Sequence, residues 1–324
     1  MLRNARGGAS MLSSAESGSG AITRMDSPIA EVPQLFDEVK ARMAIQRAAR
    51  QGAATFLLER AQIDLIERLE TVLRSFDPAL DLGTPGGLFA TALKRAERVC
   101  GIDHVGEVAP GDPSIAYRRI DGPDLKLNAD RYGLIVSGLW LQRVNDVPGI
   151  LAQVRRALKP DGLFLAAFVG GDSLAELRDC LLTAESEITG SAALRVFPFV
   201  DVRAAGQLLQ RAGLALPVTD SEKLTIRYGS FFALAAEWRA MASSASLLRR
   251  PGTPPLTRRV LFRAAELYAE RHADADGRLR ANVEIVWMSG WAPHESQQKP
   301  LKPGSAKARL EDALADIASR KKFD

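Results

Sequence analysis

The chain has 324 residues, 46% of them apolar and 25% charged, with a net charge of +4; this length holds one large domain or two small ones, and the balance is ordinary for a globular protein. So small a positive excess gives no ground for a nucleic-acid partner, and no apolar run approaches the ~18–20 residues of a membrane span. The two cysteines, Cys100 and Cys180, form no C-x-x-C pair, which argues against a disulfide framework or a Cys-rich zinc site and fits a reducing compartment, with the cytoplasm as the expected location.

Residues 1–32 are rich in Gly, Ser and Ala without apolar periodicity and read as disordered. Their few Arg and many Ser are shared with mitochondrial transit peptides, which makes the mitochondrial matrix the alternative location, although acidic residues weigh against it. A helical lead-in is predicted over 33–76, where "LFDEVKARMAIQRAARQG" and "TFLLERAQIDLIERLETVLRSF" are rich in helix formers. From 77 the pattern alternates. "ALDLG" reads as a buried strand, "GLFATALKRAERV" as a helix, "VGEV" as a short strand and "YGLIVSGLWL" as a longer one. "VPGILAQVRRAL" is a helix with Asp146 as N-cap and Ile150, Leu151, Val154 and Leu158 on one face. "KPDG" is a turn and "LFLAAFV" a strand; Ser173 three residues before Glu176 reads as a capping box opening the next helix. A helical insertion is expected around 230–272, "VEIVWMSGW" is the final strand, and 296–324 form a tail with a short helix. Strands alternating with helices predict an α/β fold, a doubly wound, mostly parallel, seven-stranded sheet spanning 77–295.

In such sheets ligands sit beyond the carboxyl ends of the strands. The turn after the first strand, "LDLGTPGG", therefore faces the crevice. Its glycines let the backbone approach a ligand, and the following helix begins with free N–H groups. Asp81 can accept hydrogen bonds there. The plainer alternative is that Gly83, Gly86 and Gly87 only make a tight turn. At the end of the second strand Glu107 can bind the two hydroxyls of a ribose, with Asp103 as its competitor.

The succession of a Gly-rich first loop, this acid, "IDGPDLKL" and "LKPDG" resembles a class I S-adenosylmethionine-dependent methyltransferase, a Rossmann-like fold. More narrowly, "LFDEVKARMAIQRAARQ", "VNDVPGILAQVRRALKPDGLFLAAFVGGDSLAELR" and "MSGWAPHESQQKPLKPGSA" resemble the complex I assembly factor methyltransferases, relatives of the malonyl-carrier methyltransferase of biotin synthesis. The resemblance spans about Phe36 to Ala306. It implies S-adenosylmethionine as cofactor and a protein substrate, a subunit of the respiratory NADH:quinone oxidoreductase, modified by methyl transfer or arginine hydroxylation. It also implies cofactor contacts: Asp81, Gly83 and Gly87 at the methionine end, Glu107 at the ribose, Asp121 and Gly122 near the adenine, and Ser137 in the strand that follows. Asp172, beyond the fifth strand, is the candidate catalytic base.

Four features depart from that family's pattern, one being the acid of the second strand, where Asp103 competes with Glu107. Pro85 stands where the loop D-x-G-x-G-x-G has glycine, Tyr132-Gly133 replaces Phe-Asp, and Gln142-Arg143 replaces His-Trp. Proline lacks an N–H; if that donor touches the cofactor, the loss is on the order of 1 kcal/mol, or roughly tenfold in affinity. A non-catalytic assembly chaperone of the same fold is the alternative reading. His272, Asp274 and His294 are weighed as a metal set and set aside in favour of a polar turn. The four tryptophans read as core anchors.

Overall fold

The protein is described by a computed structural model that covers residues 34–242, 246–248 and 252–298. The segment expected to be disordered, 1–32, and the C-terminal helix expected beyond 298 lie outside the described residues. The elements in chain order are α1 (Glu38–Gln51), α2 (Phe56–Glu70), β1 (Ala79–Leu82), α3 (Leu88–Leu93), β2 (Ile102–Gly106), β3 (Ala116–Arg119), β4 (Tyr132–Gly138), α4 (Val147–Ala157), β5 (Leu158–Gly170), α5 (Ala175–Thr189), α6 (Val202–Arg211), β6 (Ala215–Tyr228), α7 (Phe231–Ala240), α8 (Arg258–His272) and β7 (Leu279–Trp291). The strands form one seven-stranded sheet in the order β3-β2-β1-β4-β5-β7-β6. All pairs from β3 to β5 are parallel, while β7 runs antiparallel between β5 and β6.

The inner strands are buried on both faces, which is why they read as unbroken apolar runs. Ala79, Leu134, Val136, Leu163 and Leu165 face one core with α2, α5, α7 and α8. Leu80, Leu82, Ile135, Phe164 and Ala166 face the other with α4 and α6. Register follows from this alternation, since a slip of one residue would exchange the two faces. Asp146 caps α4, accepting from Gly149 N at 2.8 Å. Ile150, Leu151 and Val154 are buried as expected, but the helix ends at Ala157 and Leu158 opens β5.

Two local expectations need correction. "KPDG" does not separate α4 from the next strand; β5 runs through it, with Asp161 at φ 60° and a register shift against β4. The capping box at Ser173 does not form. Its hydroxyl donates to Gly170 O at 2.6 Å and accepts from Glu284 N at 2.8 Å, pinning the β5–α5 turn to β7. Leu174 takes the N-cap position without a side-chain bond, and Glu176 accepts instead from Asn282.

The lead-in is tied to the carboxyl ends of the strands by Asn145, in the β4–α4 loop. Its Oδ1 accepts from Leu35 N at 2.9 Å and Phe36 N at 2.8 Å, and its Nδ2 donates to Phe36 O at 3.1 Å. Asp37 then caps α1, accepting from Lys40 N at 3.0 Å. These bonds set α1 as a roof over the crevice. Among the described residues, no helix is long and apolar enough to cross a membrane.

Candidate functional site

The order of the sheet reverses between β1 and β4, so the turns after these strands flank a crevice. There lies a cavity of about 320 Å³. Its floor is Pro85, Gly86 and Leu88 from the β1–α3 turn, Val108 after β2, Leu139, Gln142 and Arg143 after β4, and Val169 of β5. Its roof comes from α1 (Ile45, Ala48), the start of α2 (Leu57, Leu58) and the end of α7 (Trp238, Ala240). The small alanines of α1 leave this space open. A larger cavity of about 670 Å³, lined largely by α5, α7 and the 192–199 segment, shares Trp238 with it but takes in none of the turns after β1, β2 and β4.

Asp81 does not face the cavity. It is wholly buried, takes a short hydrogen bond from the Thr84 hydroxyl and accepts from Ala90 N at 2.9 Å. Thr84 Oγ1 in turn accepts from Gly138 N at 2.9 Å, joining the ends of β1 and β4. On the other side His104, also wholly buried, lies 3.3 Å from the Asp81 carboxylate, with Nδ1 3.1 Å from Asp81 O and Nε2 3.2 Å from Val108 O. Asp81 therefore shapes the turn from beneath, and the expectation that it contacts the methionine end of a cofactor is replaced by this structural role.

Burial alone would depress the His104 imidazole, but its bond to Asp81 and the carboxylate charge outweigh that and hold it above its ordinary value. A raised folded-state value stabilises the fold fully below the ordinary ~6.5, and that contribution is lost as pH rises through the raised value. The thermal midpoint should therefore fall as pH is raised past that point. His104→Gln should flatten this slope; an unchanged slope in the variant would remove His104 as its origin.

The glycines of the turn divide by what lies beside them. A Cβ built on Gly83 (φ 74°) would overlap the Trp140 ring, and one on Gly87 (φ 63°) would come 2.6 Å from Pro110 Cβ. One on Gly86 (φ 62°) would meet nothing within 4 Å. Gly86, not among the sequence candidates, is thus the glycine that borders the cavity; its signal was only its place next to Pro85. Trp140 is 4% exposed and confirms its reading as a packing residue.

Glu107 directly precedes the lining residue Val108, its side chain 20% exposed and its Oε2 3.8 Å from the Arg143 guanidinium. That oxygen, Ser137 Oγ, Gln142 Oε1 and Arg143 Nε are buried without a hydrogen-bond partner. Native interiors hold few such atoms, and four at one strand-end crevice mark a place for a polar ligand. The adenine-side candidates lie further out: Asp121 is exposed and paired with Arg119 at 2.9 Å, and Gly122 has open space beside it. Asp103 is bound to Arg131 at 2.8 Å and Tyr132 at 3.0 Å, leaving Glu107 as the acid of the crevice. Asp172, the candidate base, is exposed and is not among the residues that line the cavity. Burial pushes the Cys180 thiol up to about 11, which removes it as a nucleophile.

Comparison with known proteins agrees with this geometry. Residues 53–217 match the methyltransferase domain family. The chain is 33% identical over 286 residues to the Homo sapiens protein "Arginine-hydroxylase NDUFAF5, mitochondrial", covering 84% of this chain and 81% of that protein. It is 37% identical over 192 residues to the Dictyostelium discoideum protein of the same name, where it spans 44% of the relative's length. The malonyl-[acyl-carrier protein] O-methyltransferase of Xylella fastidiosa is 28% identical over 271 residues, 80% of this chain and 89% of that one. A Bacillus halodurans crystal structure described as a methyltransferase shares the fold with a TM-score of 0.50 at 15% identity, over 71% of this chain and 99% of that one.

Proposed function

Because this chain belongs to the methyltransferase domain family and, within it, to the family of the arginine-hydroxylase NDUFAF5 proteins, we propose that it binds S-adenosylmethionine in the strand-end crevice and modifies a protein subunit of respiratory complex I during assembly. The observation that carries the reading is the buried Glu107 oxygen without a hydrogen-bond partner, next in the chain to Val108 and 3.8 Å from Arg143, both of which line the cavity. The residues present fit the cofactor on that observation. Glu107 would accept the ribose hydroxyls, Gly86 offers the open side of the turn, and the α1 roof would exclude water. When bound, the cofactor supplies an electrophilic methyl group. The apolar walls favour loss of its sulfonium charge by desolvation, and the enclosed geometry aligns donor and acceptor, which methyl transfer mainly requires.

The reaction type is where the relatives differ, being named hydroxylases in one branch and methyltransferases in the other. For this chain we favour methyl transfer, since no carboxylate or imidazole lines the cavity among the described residues and alignment alone serves that reaction. A cofactor-independent assembly role is the second reading. It is favoured by Trp140 against Gly83 and Pro110 against Gly87, which narrow the crevice on both flanks.

Cells lacking the chain, complemented with wild type or Glu107→Gln, separate these readings. Native electrophoresis would follow assembly of the NADH:quinone oxidoreductase, and mass spectrometry its subunits. Wild type should restore the complex and add the mass of one methylene to a subunit side chain; Glu107→Gln should do neither. Addition of one oxygen atom would assign hydroxylation instead. Full assembly by Glu107→Gln, with no subunit modified, would overturn the enzymatic reading.

A further inference from the structure

Arg143 has no settled partner. Its side chain is 7% exposed, and among the described residues its only charged neighbour is Glu107, at 3.8 Å. Its Nε is buried without a hydrogen bond, and among the described residues its guanidinium makes none. A guanidinium carries five N–H donors in a fixed fork that matches a carboxylate. Burying such a group beside one carboxylate beyond hydrogen-bond reach is costly unless a further acceptor arrives.

The surroundings define that acceptor. Arg143 and Gln142 line the cavity, and the Gln142 amide oxygen is also without a partner. Its Nε2 is taken by Leu139 O at 2.8 Å, which fixes the amide. The remaining walls are mostly apolar, among them Ile45, Ala48, Leu57, Val108, Leu139 and Trp238, whose indole Nε1 is buried without a partner. Thr55, the other hydroxyl at the rim, is already bound to Glu59 at 2.6 Å. The only charge on the walls is therefore the Arg143 cation, set in an apolar chamber of about 320 Å³.

The geometry points to Arg143 as an anion seat: the molecule held in this cavity has a carboxylate end, which docks on the guanidinium beside Glu107. Two sources share this chemistry. One is the amino-acid carboxylate of S-adenosylmethionine, in which case the inference rests on the cofactor reading above. The other is a carboxylate on the acceptor. A carboxylate on a buried guanidinium forms a charge-assisted, bidentate pair, so its loss should cost at least about tenfold in affinity.

Calorimetry on the full chain distinguishes the sources with three probes: S-adenosylhomocysteine, 5′-methylthioadenosine, which lacks the amino-acid end, and hexanoate added to S-adenosylhomocysteine-saturated protein. Each is titrated into wild type, Arg143→Gln and Arg143→Lys, with thermal unfolding to verify that all three fold. If the cofactor carboxylate is the occupant, Arg143→Gln weakens S-adenosylhomocysteine about tenfold or more, spares 5′-methylthioadenosine, and Arg143→Lys falls between. If the acceptor carboxylate is the occupant, both nucleosides bind unchanged and only hexanoate is lost. Unchanged binding of all three probes by Arg143→Gln overturns the anion seat. Wild type that binds neither nucleoside overturns the cofactor reading instead; hexanoate alone then tests the seat, and its failure to distinguish wild type from Arg143→Gln overturns that too.

Discussion

Asp81→Ala is expected to bring the fold close to unfolding, with a loss of about 3–5 kcal/mol, the range for removing one partner of a buried charged pair. The carboxylate bonds the Thr84 hydroxyl, Ala90 N and the His104 ring, all inside the protein. Deleting it leaves the Thr84 hydroxyl and Ala90 N buried without this acceptor, each costing about 1–3 kcal/mol, and leaves His104 with only the Asp81 backbone oxygen on that side, within a domain whose whole stability is of order 5–15 kcal/mol. The link from Thr84 to Gly138 would loosen with it, so the β1 and β4 turns would part. Asp81→Asn retains one acceptor oxygen and should lose less. The consequence for function is practical. Failure of Asp81→Ala in cells would report a collapsed turn rather than a lost cofactor contact, and Glu107→Gln is the cleaner probe. Chemical denaturation checks the prediction: a midpoint for Asp81→Ala within error of wild type would show that the buried network contributes little.

Substitutions at the adjacent glycines should divide sharply. Gly83→Ala is expected to cost about 2–5 kcal/mol, from ~1–2 for a left-handed backbone with a Cβ and about 1–3 for overpacking against Trp140. Trp140→Ser in the same chain should return part of that loss by removing the ring. Gly86→Ala has the same backbone cost but no steric conflict, so it should lose only ~1–2 kcal/mol while placing a methyl group beside the cavity. Gly83→Ala should be lost mainly as folded protein, and Gly86→Ala mainly as ligand affinity. Equal stability of the two variants, measured by thermal unfolding, would contradict the packing described around Gly83.

The fold was legible where local patterns and tertiary burial agree. The unbroken apolar runs of β1, β4 and β5 and the strand–helix alternation prefigured a doubly wound sheet, and Asp146 was readable as a cap because its partner is three residues away. The edge strand β3 was not foreseen. Its Ala116-Tyr117-Arg118-Arg119 is exposed throughout, so neither alternation nor an apolar run marks it. Ser173 had the local form of a cap, but its hydroxyl is claimed by Glu284, 111 residues away. The position of the crevice at the strand ends was legible. Its details were not, because they rest on contacts between distant segments. Asp81 meets His104 across β1 and β2, Trp140 comes from β4 to lie on Gly83, and Asn145 fastens the lead-in that roofs the cavity. Arg143 stood out in sequence only as part of Gln142-Arg143 in place of His-Trp; its burial is what separates it from a solvated arginine.

The reading of the crevice as an adenosyl site is tested most directly by titrating the purified wild-type chain with S-adenosylmethionine in a calorimeter. One molecule per chain, with a dissociation constant on the order of micromolar, about −8 kcal/mol, is the predicted result. Absence of binding heat at several temperatures, up to about millimolar ligand, would contradict it and leave the fold as an assembly scaffold that works without the cofactor.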